Sequence, residues 1–172
     1  KKDMLDEAEV EIKRAAEADP RLVDVHFNLA LVYEEKNELD KAVEEYKKEI
    51  ELFPTDFTTH FNLAKLYTKL GNFRWAIEHY KEAIDHNKNF ANGYLFLGKA
   101  YLDLGENYDE AMRLTKEGLE LAPESKYAPL GHFVLADIYN RLGQRDKYYE
   151  ELNKARKLQL KLEKNNRQNN LR

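Results

Sequence analysis

Five histidines are the side chains in this sequence best suited to bind a transition metal, so their spacing is the first test for chemistry. Three of them, His26, His60 and His132, stand first in related octets, whereas His79 and His86 lie seven residues apart. If each octet begins a separate helix, the three side chains lie on helices whose axes pack about 8–10 Å apart. That distance is too large for equivalent side chains to share a zinc ion, and the sequence offers His79 and His86 no third ligand. The spacing therefore predicts half-buried histidines and no metal.

Carboxylates are numerous but do not form a catalytic pattern. They mix with lysines, as in residues 44–49 (EEYKKE), which is typical of exposed helix faces with ion pairs four residues apart. Cysteine is absent, and so are the phosphate-binding glycine loop, the G-x-S-x-G turn, the H-E-x-x-H zinc motif and the EF-hand loop. We therefore expect no enzyme activity and no cofactor.

The octets that contain the histidines show how these side chains are positioned. The octets are HFNLALVY at 26–33, HFNLAKLY at 60–67, YLFLGKAY at 94–101 and HFVLADIY at 132–139. Their apolar residues have helical spacing, as in Phe61, Ala64 and Tyr67. A turn rich in Gly or Asn follows each octet, and then a second amphipathic run begins, for example Leu39–Leu52. The pattern predicts helix, short turn and helix, repeated along an all-α chain.

The period of 34 residues and the residue pattern resemble the tetratricopeptide repeat (TPR) family. The positions of residues 23–56 that match the family pattern best are Leu29, Ala30, Tyr33, Ala42, Tyr46 and Pro54. Small residues, such as Gly98 opposite Ala111, are expected to let the two helices of a pair approach closely. By this resemblance, the fold class is an all-α, right-handed superhelical solenoid of antiparallel helix pairs with about four and a half repeats.

The resemblance also divides the chain into segments. These are 1–22, a second half-repeat that acts as an N-terminal cap; 23–56 and 57–90, two repeats; 91–125, a repeat with one extra residue in its turn; 126–128, an insertion; 129–162, a repeat with an extended closing helix; and 163–172, a polar tail. Pro20 is expected to end the cap helix. Tyr148 stands where the family has a small residue, which predicts a loosened last pair.

In this family the first helices of the repeats line a concave groove, and the resemblance carries its positions over to this chain. The expected peptide-binding residues are Phe27, Asn28, Leu31, Phe61, Asn62, Lys65, Lys69, Phe96, Lys99, Phe133 and Arg141. Aromatic rings can hold side chains of a peptide, and the carboxamides of Asn28 and Asn62 can pair with its backbone. The family's clamp for C-terminal carboxylates needs cations where this chain has Asn92 and Phe96, so that specificity is not expected.

Charge is distributed unevenly, since residues 1–56 have a net charge of −8 and residues 126–172 one of +6. The basic end lacks interleaved aromatics and no apolar run is long enough to span a membrane, so we expect neither a nucleic acid nor a membrane partner. The sequence predicts a soluble scaffold or adaptor for a protein or peptide partner, with the compartment left open and the cytoplasm favoured. The alternatives are self-assembly through the two ends, as a head-to-tail homo-oligomer, and an accessory domain of a larger enzyme.

Overall fold

The structure, a computed structural model, describes residues 2–19 and 21–169, and within them it contains nine α-helices and no β-strand. The helices are α1 (Lys2–Ala18), α2 (Val25–Glu35), α3 (Leu39–Leu52), α4 (Phe57–Lys69), α5 (Phe73–His86), α6 (Ala91–Leu104), α7 (Tyr108–Leu121), α8 (Ala128–Arg141) and α9 (Arg145–Asn169). The predicted helix over Leu39–Leu52 has the bounds of α3. The predicted all-α class is confirmed. Pro20, expected to end the first helix, lies outside the described residues.

The helices fall into two compact units, residues 1–86 and residues 87–172. In the first unit α2 packs on α3, α4 packs on α5, and α1 and α4 add contacts to α2 and α3 respectively. In the second unit α6 packs on α7 and α8 on α9, while α8 also contacts both α6 and α7. Each unit is therefore built from helix pairs, as the alternation of octets and turns predicts.

The turns inside the pairs need backbone conformations that few residue types adopt. Asn37 and Gly71 end their turns with φ angles of 59° and 76°, in the left-handed region. A Cβ built on Gly71 would have no atom within 4 Å, so the backbone conformation, and not lack of space, favours glycine there. The turn between α6 and α7 contains two such residues, Gly105 and Asn107.

Small residues set the distance between the two helices of each pair. A Cβ built on Gly98 in α6 would lie 2.2 Å from Thr115 Oγ1 and 2.9 Å from the Ala111 carbonyl oxygen in α7. In the first unit, Ala30 and Ala42 are completely buried at the corresponding contact. The expected close approach at these positions is confirmed, and a larger side chain there would force the helices apart.

Helix α1 covers α2 through a half-buried apolar face and an ionic cluster. The half-buried apolar residues are Leu5, Ala8, Ile12 and Ala15. Lys36 Nζ, at the end of α2, lies 2.6 Å from Asp6 Oδ1 and 2.6 Å from Glu9 Oε2, and the Tyr33 hydroxyl donates to Glu9 over 3.1 Å. Hydrogen bonds from Lys13 and Lys36 lower the pKa of Glu9 to about 2. The cap helix is thus fixed to the repeat that it covers.

Helix α9 closes the second unit and is longer than expected. Ala155 is completely buried against α8, and Tyr148, which replaces a small residue, is half-buried with its ring 4.9 Å from that of Tyr149. The polar tail predicted from residue 163 is helical through Asn169, and residues 170–172 lie outside the described part of the chain.

Candidate functional site

The predicted groove residues of the first unit lie on α2 and α4, and the phenylalanine of each helix contacts a tyrosine of the partner helix. The Phe27 ring meets Tyr46 edge-on with centroids 5.7 Å apart, and the buried Phe61 ring lies 5.7 Å from that of Tyr80. These contacts fix the two phenylalanines in corresponding places of the two repeats. Leu31, one turn after Phe27, is 38% exposed, so apolar surface reaches solvent beside the rings.

The polar residues of this face differ in how firmly they are held. Asn28 is exposed, whereas the half-buried Asn62 donates its Nδ2 hydrogen to the Thr58 carbonyl over 2.9 Å. Lys65 Nζ lies 5.7 Å from the centroid of the Phe61 ring, and Lys69 is exposed in the last turn of α4. The two amides therefore occupy corresponding positions but do not have the same hydrogen bonds.

A cavity of about 270 Å³ opens between the first turns of α2 and α4. It is lined by Asp24, Phe27, Asn28, Asp56 and Thr58. Two acidic residues, an asparagine and a threonine thus line this cavity together with one aromatic residue. A second cavity, of about 420 Å³, also borders Asp24 and Asp56 and continues over the loop that contains Phe53 and Pro54.

The N-termini that border these cavities are capped in different ways. In α4, Asp56 accepts hydrogen bonds from the backbone N–H groups of Thr58 and Thr59, each over 3.1 Å. In α2, Asp24 has a left-handed backbone with φ of 64° and its side chain does not cap the helix.

The N-terminus of α2 is instead capped by a carboxylate from α3, the second helix of the pair. Glu49 of α3, only 1% exposed, accepts from the backbone N–H groups of Asp24, His26 and Phe27 over 2.9, 3.1 and 3.1 Å. Sequence reasoning did not assign this role to Glu49. The sequence does contain an indication of this role, because Glu49 is an acidic residue at a position where the family has alanine and where the next repeat has Ala83.

In the second unit the predicted groove residues lie on α6 and α8. Phe96 contacts the Tyr127 ring edge-on at 5.2 Å, and Phe133 is 38% exposed. Both cations there have partners: Lys99 Nζ lies 2.6 Å from Asp103, and Arg141 pairs with Asp137. Arg141 also donates to the Tyr108 hydroxyl over 3.1 Å, with its guanidinium 5.6 Å from the centroid of that ring.

The structure brings together three histidines that the sequence left apart. The His60 ring lies 5.4 Å from the His79 ring and 5.7 Å from the His86 ring, centroid to centroid. The other two octet histidines each face a carboxylate instead: His26 Nδ1 lies 2.6 Å from Glu45, and His132 Nδ1 lies 2.6 Å from Glu151. The sequence separation could have indicated all three contacts, because the partner of each octet histidine lies 19 residues after it.

Burial changes the pKa values of the histidine pair. It lowers the pKa of His60, although the hydrogen bond to the Pro54 carbonyl opposes it. Burial, and then the charge of His60, lower the pKa of His79 to about 4.

In residues 2–19 and 21–169, no group of three His, Asp or Glu side chains is arranged to hold a metal ion. None of the described helices combines the length and apolar character needed to cross a membrane.

Comparison with known proteins supports the family assignment. Sequence models described as "Tetratricopeptide repeat" and "TPR repeat" match residues 57–90 and 33–71. No curated protein matches the chain in sequence.

Solved structures share the fold. A crystal structure of MamA has a TM-score of 0.83 and 24% identity, over 95% of this chain and 93% of that one. A MamA fragment from Desulfovibrio magneticus RS-1 has a TM-score of 0.81 and 18% identity, over 91% and 86%. YrrB, described as a TPR protein with an unusual peptide-binding site, has a TM-score of 0.76 and 20% identity, over 91% and 79%.

The expected TPR-like solenoid class is thereby confirmed. The family is generally non-catalytic, and its helical arrays serve as scaffolds for other proteins. The octets, the helix pairs and these matches together support assignment of the chain to the tetratricopeptide repeat family, with residues 33–90 as the part that the sequence models match.

Proposed function

We propose that the α2–α4 face of the first unit binds an extended segment of a partner protein. The observation that carries this proposal is the cavity between the first turns of these helices, because predicted groove residues line it. Phe27 and Asn28 form one side and Thr58, one turn before Asn62, forms the other. An aromatic wall beside amide and hydroxyl groups suits a peptide, which presents apolar side chains and backbone polar groups together.

The two asparagines have complementary roles in this proposal. Asn28 is exposed, so its carboxamide can turn to donate to or accept from a peptide backbone. The bond from Asn62 Nδ2 to the Thr58 carbonyl holds the second carboxamide on the helix, where its oxygen is an acceptor. An adjustable amide and a fixed one on neighbouring helices match two points of a single extended strand.

Phe96, Lys99, Phe133 and Arg141 are proposed as further contacts in the second unit. Exposure of Phe133 supports an apolar contact there. Because Lys99 and Arg141 already pair with Asp103 and Asp137, an anionic partner would have to displace carboxylates to reach these cations. We therefore assign this region a smaller share of the affinity.

A second candidate function is head-to-tail association of copies of this chain. The net charges of −8 for residues 1–56 and +6 for residues 126–172 favour it. Sedimentation at low and high salt tests it: this candidate predicts oligomers at low salt that dissociate at high salt, and a monomer under both conditions contradicts it.

Selection of peptides from a random display library tests the main proposal. Selected peptides are then titrated against the wild type and an Asn28→Ala/Asn62→Ala/Lys65→Ala variant. We expect the variant to bind at least about tenfold more weakly, because two hydrogen-bonding amides and one cation are lost. A matched control, Asn153→Ala/Lys157→Ala/Asn166→Ala, changes the same residue types at exposed positions of α9 and is expected to bind as the wild type does. Equal affinities for both variants, with unchanged circular dichroism, contradict the proposal.

A further inference from the structure

The pair formed by His60 and His79 has a hydrogen-bond arrangement that limits how many protons it can hold. His60 is 5% exposed, and its Nε2 lies 3.1 Å from the Pro54 carbonyl oxygen. A carbonyl only accepts, so this nitrogen must carry a hydrogen. The other ring nitrogen, Nδ1, faces Nδ1 of His79 at 3.1 Å. In the neutral pair His60 Nδ1 is therefore the acceptor and His79 Nδ1 is the donor.

One added proton can be accommodated without moving the rings. It can bind to Nε2 of His79, or to Nδ1 of His60 while His79 changes tautomer, and each state keeps one hydrogen between the two facing nitrogens. A second proton places an N–H group on both facing nitrogens and a positive charge on both rings. Two donors cannot stay 3.1 Å apart, so the doubly protonated pair has to separate.

We propose that the His60–His79 pair makes repeat 57–90 an acid-sensitive element, in which protonation of both imidazoles separates the start of α4 from the middle of α5. The same positions in two other repeats contain His26 with Glu45 and His132 with Glu151. There the histidine faces a carboxylate oxygen, which only accepts hydrogen bonds, so two N–H donors are never opposed across the contact between the helices.

The charges around the pair also differ from those of the two His–Glu pairs. Lys48 Nζ lies 2.7 Å from Glu45, and Lys154 Nζ lies 2.9 Å from Glu151. The corresponding residue after His79 is Glu82, whose carboxylate lies 3.7 Å from His86 Nε2.

The remaining groups that face the pair come from α3, the loop before α4, and α4 itself. Lys47 of α3 opposes protonation of His79, and Asp56, which caps α4, favours protonation of His60. Tyr67 of α4 stacks on the His79 ring at 5.7 Å and on Trp75 at 6.2 Å, which restricts the movement of His79 in the folded state.

The direction of the pH effect follows from comparing the folded and unfolded states. Unfolded histidines have a pKa of about 6.5, whereas that of His79 is about 4 in the fold. Between these values the unfolded chain binds more protons, so the repeat loses stability as the pH falls from about 6.5 towards 4.

Protonation of this pair is expected to alter the α2–α4 face. Phe61 and Asn62 directly follow His60 on α4, and Phe61 packs on Tyr80, the neighbour of His79. Loss of the pair therefore displaces the proposed peptide contacts and releases the peptide. This consequence rests on the proposed function, whereas the acid sensitivity of the repeat is measured without any partner.

Two substitutions that exchange the pairs between repeats provide the test. His79→Glu gives repeat 57–90 the His–Glu pair of its neighbours, and Glu151→His gives the last repeat the His–His pair. Thermal unfolding is recorded by circular dichroism at pH 7.5 and 5.0 for the wild type and both variants. We expect the wild-type Tm to fall by about 5 °C more than that of His79→Glu, and that of Glu151→His to fall further than the wild type.

Hydrogen exchange at pH 5.0 locates the effect, since comparing proteins at one pH cancels the intrinsic exchange rate. Peptides from α4 and α5 are expected to exchange faster in the wild type than in His79→Glu. A His60→Tyr/His79→Leu variant, which copies Tyr94 and Leu114 at the corresponding positions of α6 and α7, provides a pair that does not titrate in this range. Equal losses of Tm in the wild type and these variants, or equal exchange in α4 and α5, would overturn the proposal.

Discussion

The first helices of the pairs α2–α3 and α4–α5 contain octets that agree at seven of eight positions, yet the histidine of the octet meets a carboxylate in the first pair and an imidazole in the second. The N-termini differ as well. Glu49 caps α2 from across the helix pair, whereas Asp56 caps α4 from the adjacent loop. The first helix has nearly the same surface residues in both pairs, and the second helix decides how that surface is held and which side chain its histidine meets.

The largest expected effect comes from making the first of these repeats resemble the second. Glu49→Ala places alanine where the second repeat has Ala83 and leaves three backbone N–H groups of α2 without their acceptor. We expect a loss of about 2–4 kcal/mol in the free energy of unfolding, measured by urea denaturation. Glu49→Gln keeps an acceptor oxygen and is expected to lose less. Equal stability of Glu49→Ala and the wild type would show that water replaces the cap.

A smaller loss is expected for the corresponding change in the second repeat. Asp56→Ala removes a local cap that accepts from Thr58 and Thr59 at a half-buried site. The expected loss is about 1 kcal/mol in the same urea titration. Asp56→Asn retains an acceptor and serves as the control. If Asp56→Ala is more damaging than Glu49→Ala, the cap from across the pair is not the stronger of the two.

The smallest effect is expected where α1 meets α2. Glu9→Gln removes the charge that pairs with Lys13 and Lys36, and we expect it to cost less than about 1 kcal/mol at pH 7, because the amide oxygen can still accept from the half-buried Lys36 and solvent screens the more exposed Lys13. The pKa of Glu9 is lowered to about 2, so its contribution is present above pH 4.5 and disappears as the pH falls towards 2. Urea titrations at pH 7 and pH 2.5 measure both the cost of the substitution and its dependence on pH. If the difference in unfolding free energy between Glu9→Gln and the wild type is larger at pH 2.5 than at pH 7, this assignment is contradicted. The two acid transitions are therefore separate, since the histidine pair responds between pH 6.5 and 4.

Much of the fold followed from local patterns in the sequence. The bounds of α3, the left-handed turn residues and the close contact at Gly98 were predictable because each depends on residues near in the chain or on a repeated small side chain. The continuation of α9 to Asn169, through most of the polar tail, was not predicted, because a polar sequence with weak periodicity gives little indication of where a helix ends.

The candidate site was less predictable than the fold. The family pattern gave the face on which Phe27 and Phe61 lie, but not the bond that holds Asn62 or the ion pairs that engage Lys99 and Arg141. Those contacts depend on rotamers and on residues one helical turn away, which a positional pattern does not specify.

By itself, the sequence determined the repeat, the helix pairs and the small residues between them, because hydrophobic periodicity and turn propensity act over a few neighbouring residues. Only the tertiary structure decided that Glu49 caps α2, that His60 meets both His79 and His86, and that His26 and His132 face carboxylates. The residues of each contact are 19 to 26 positions apart in the chain. They meet only where two helices cross, and the packing of the whole pair sets that geometry.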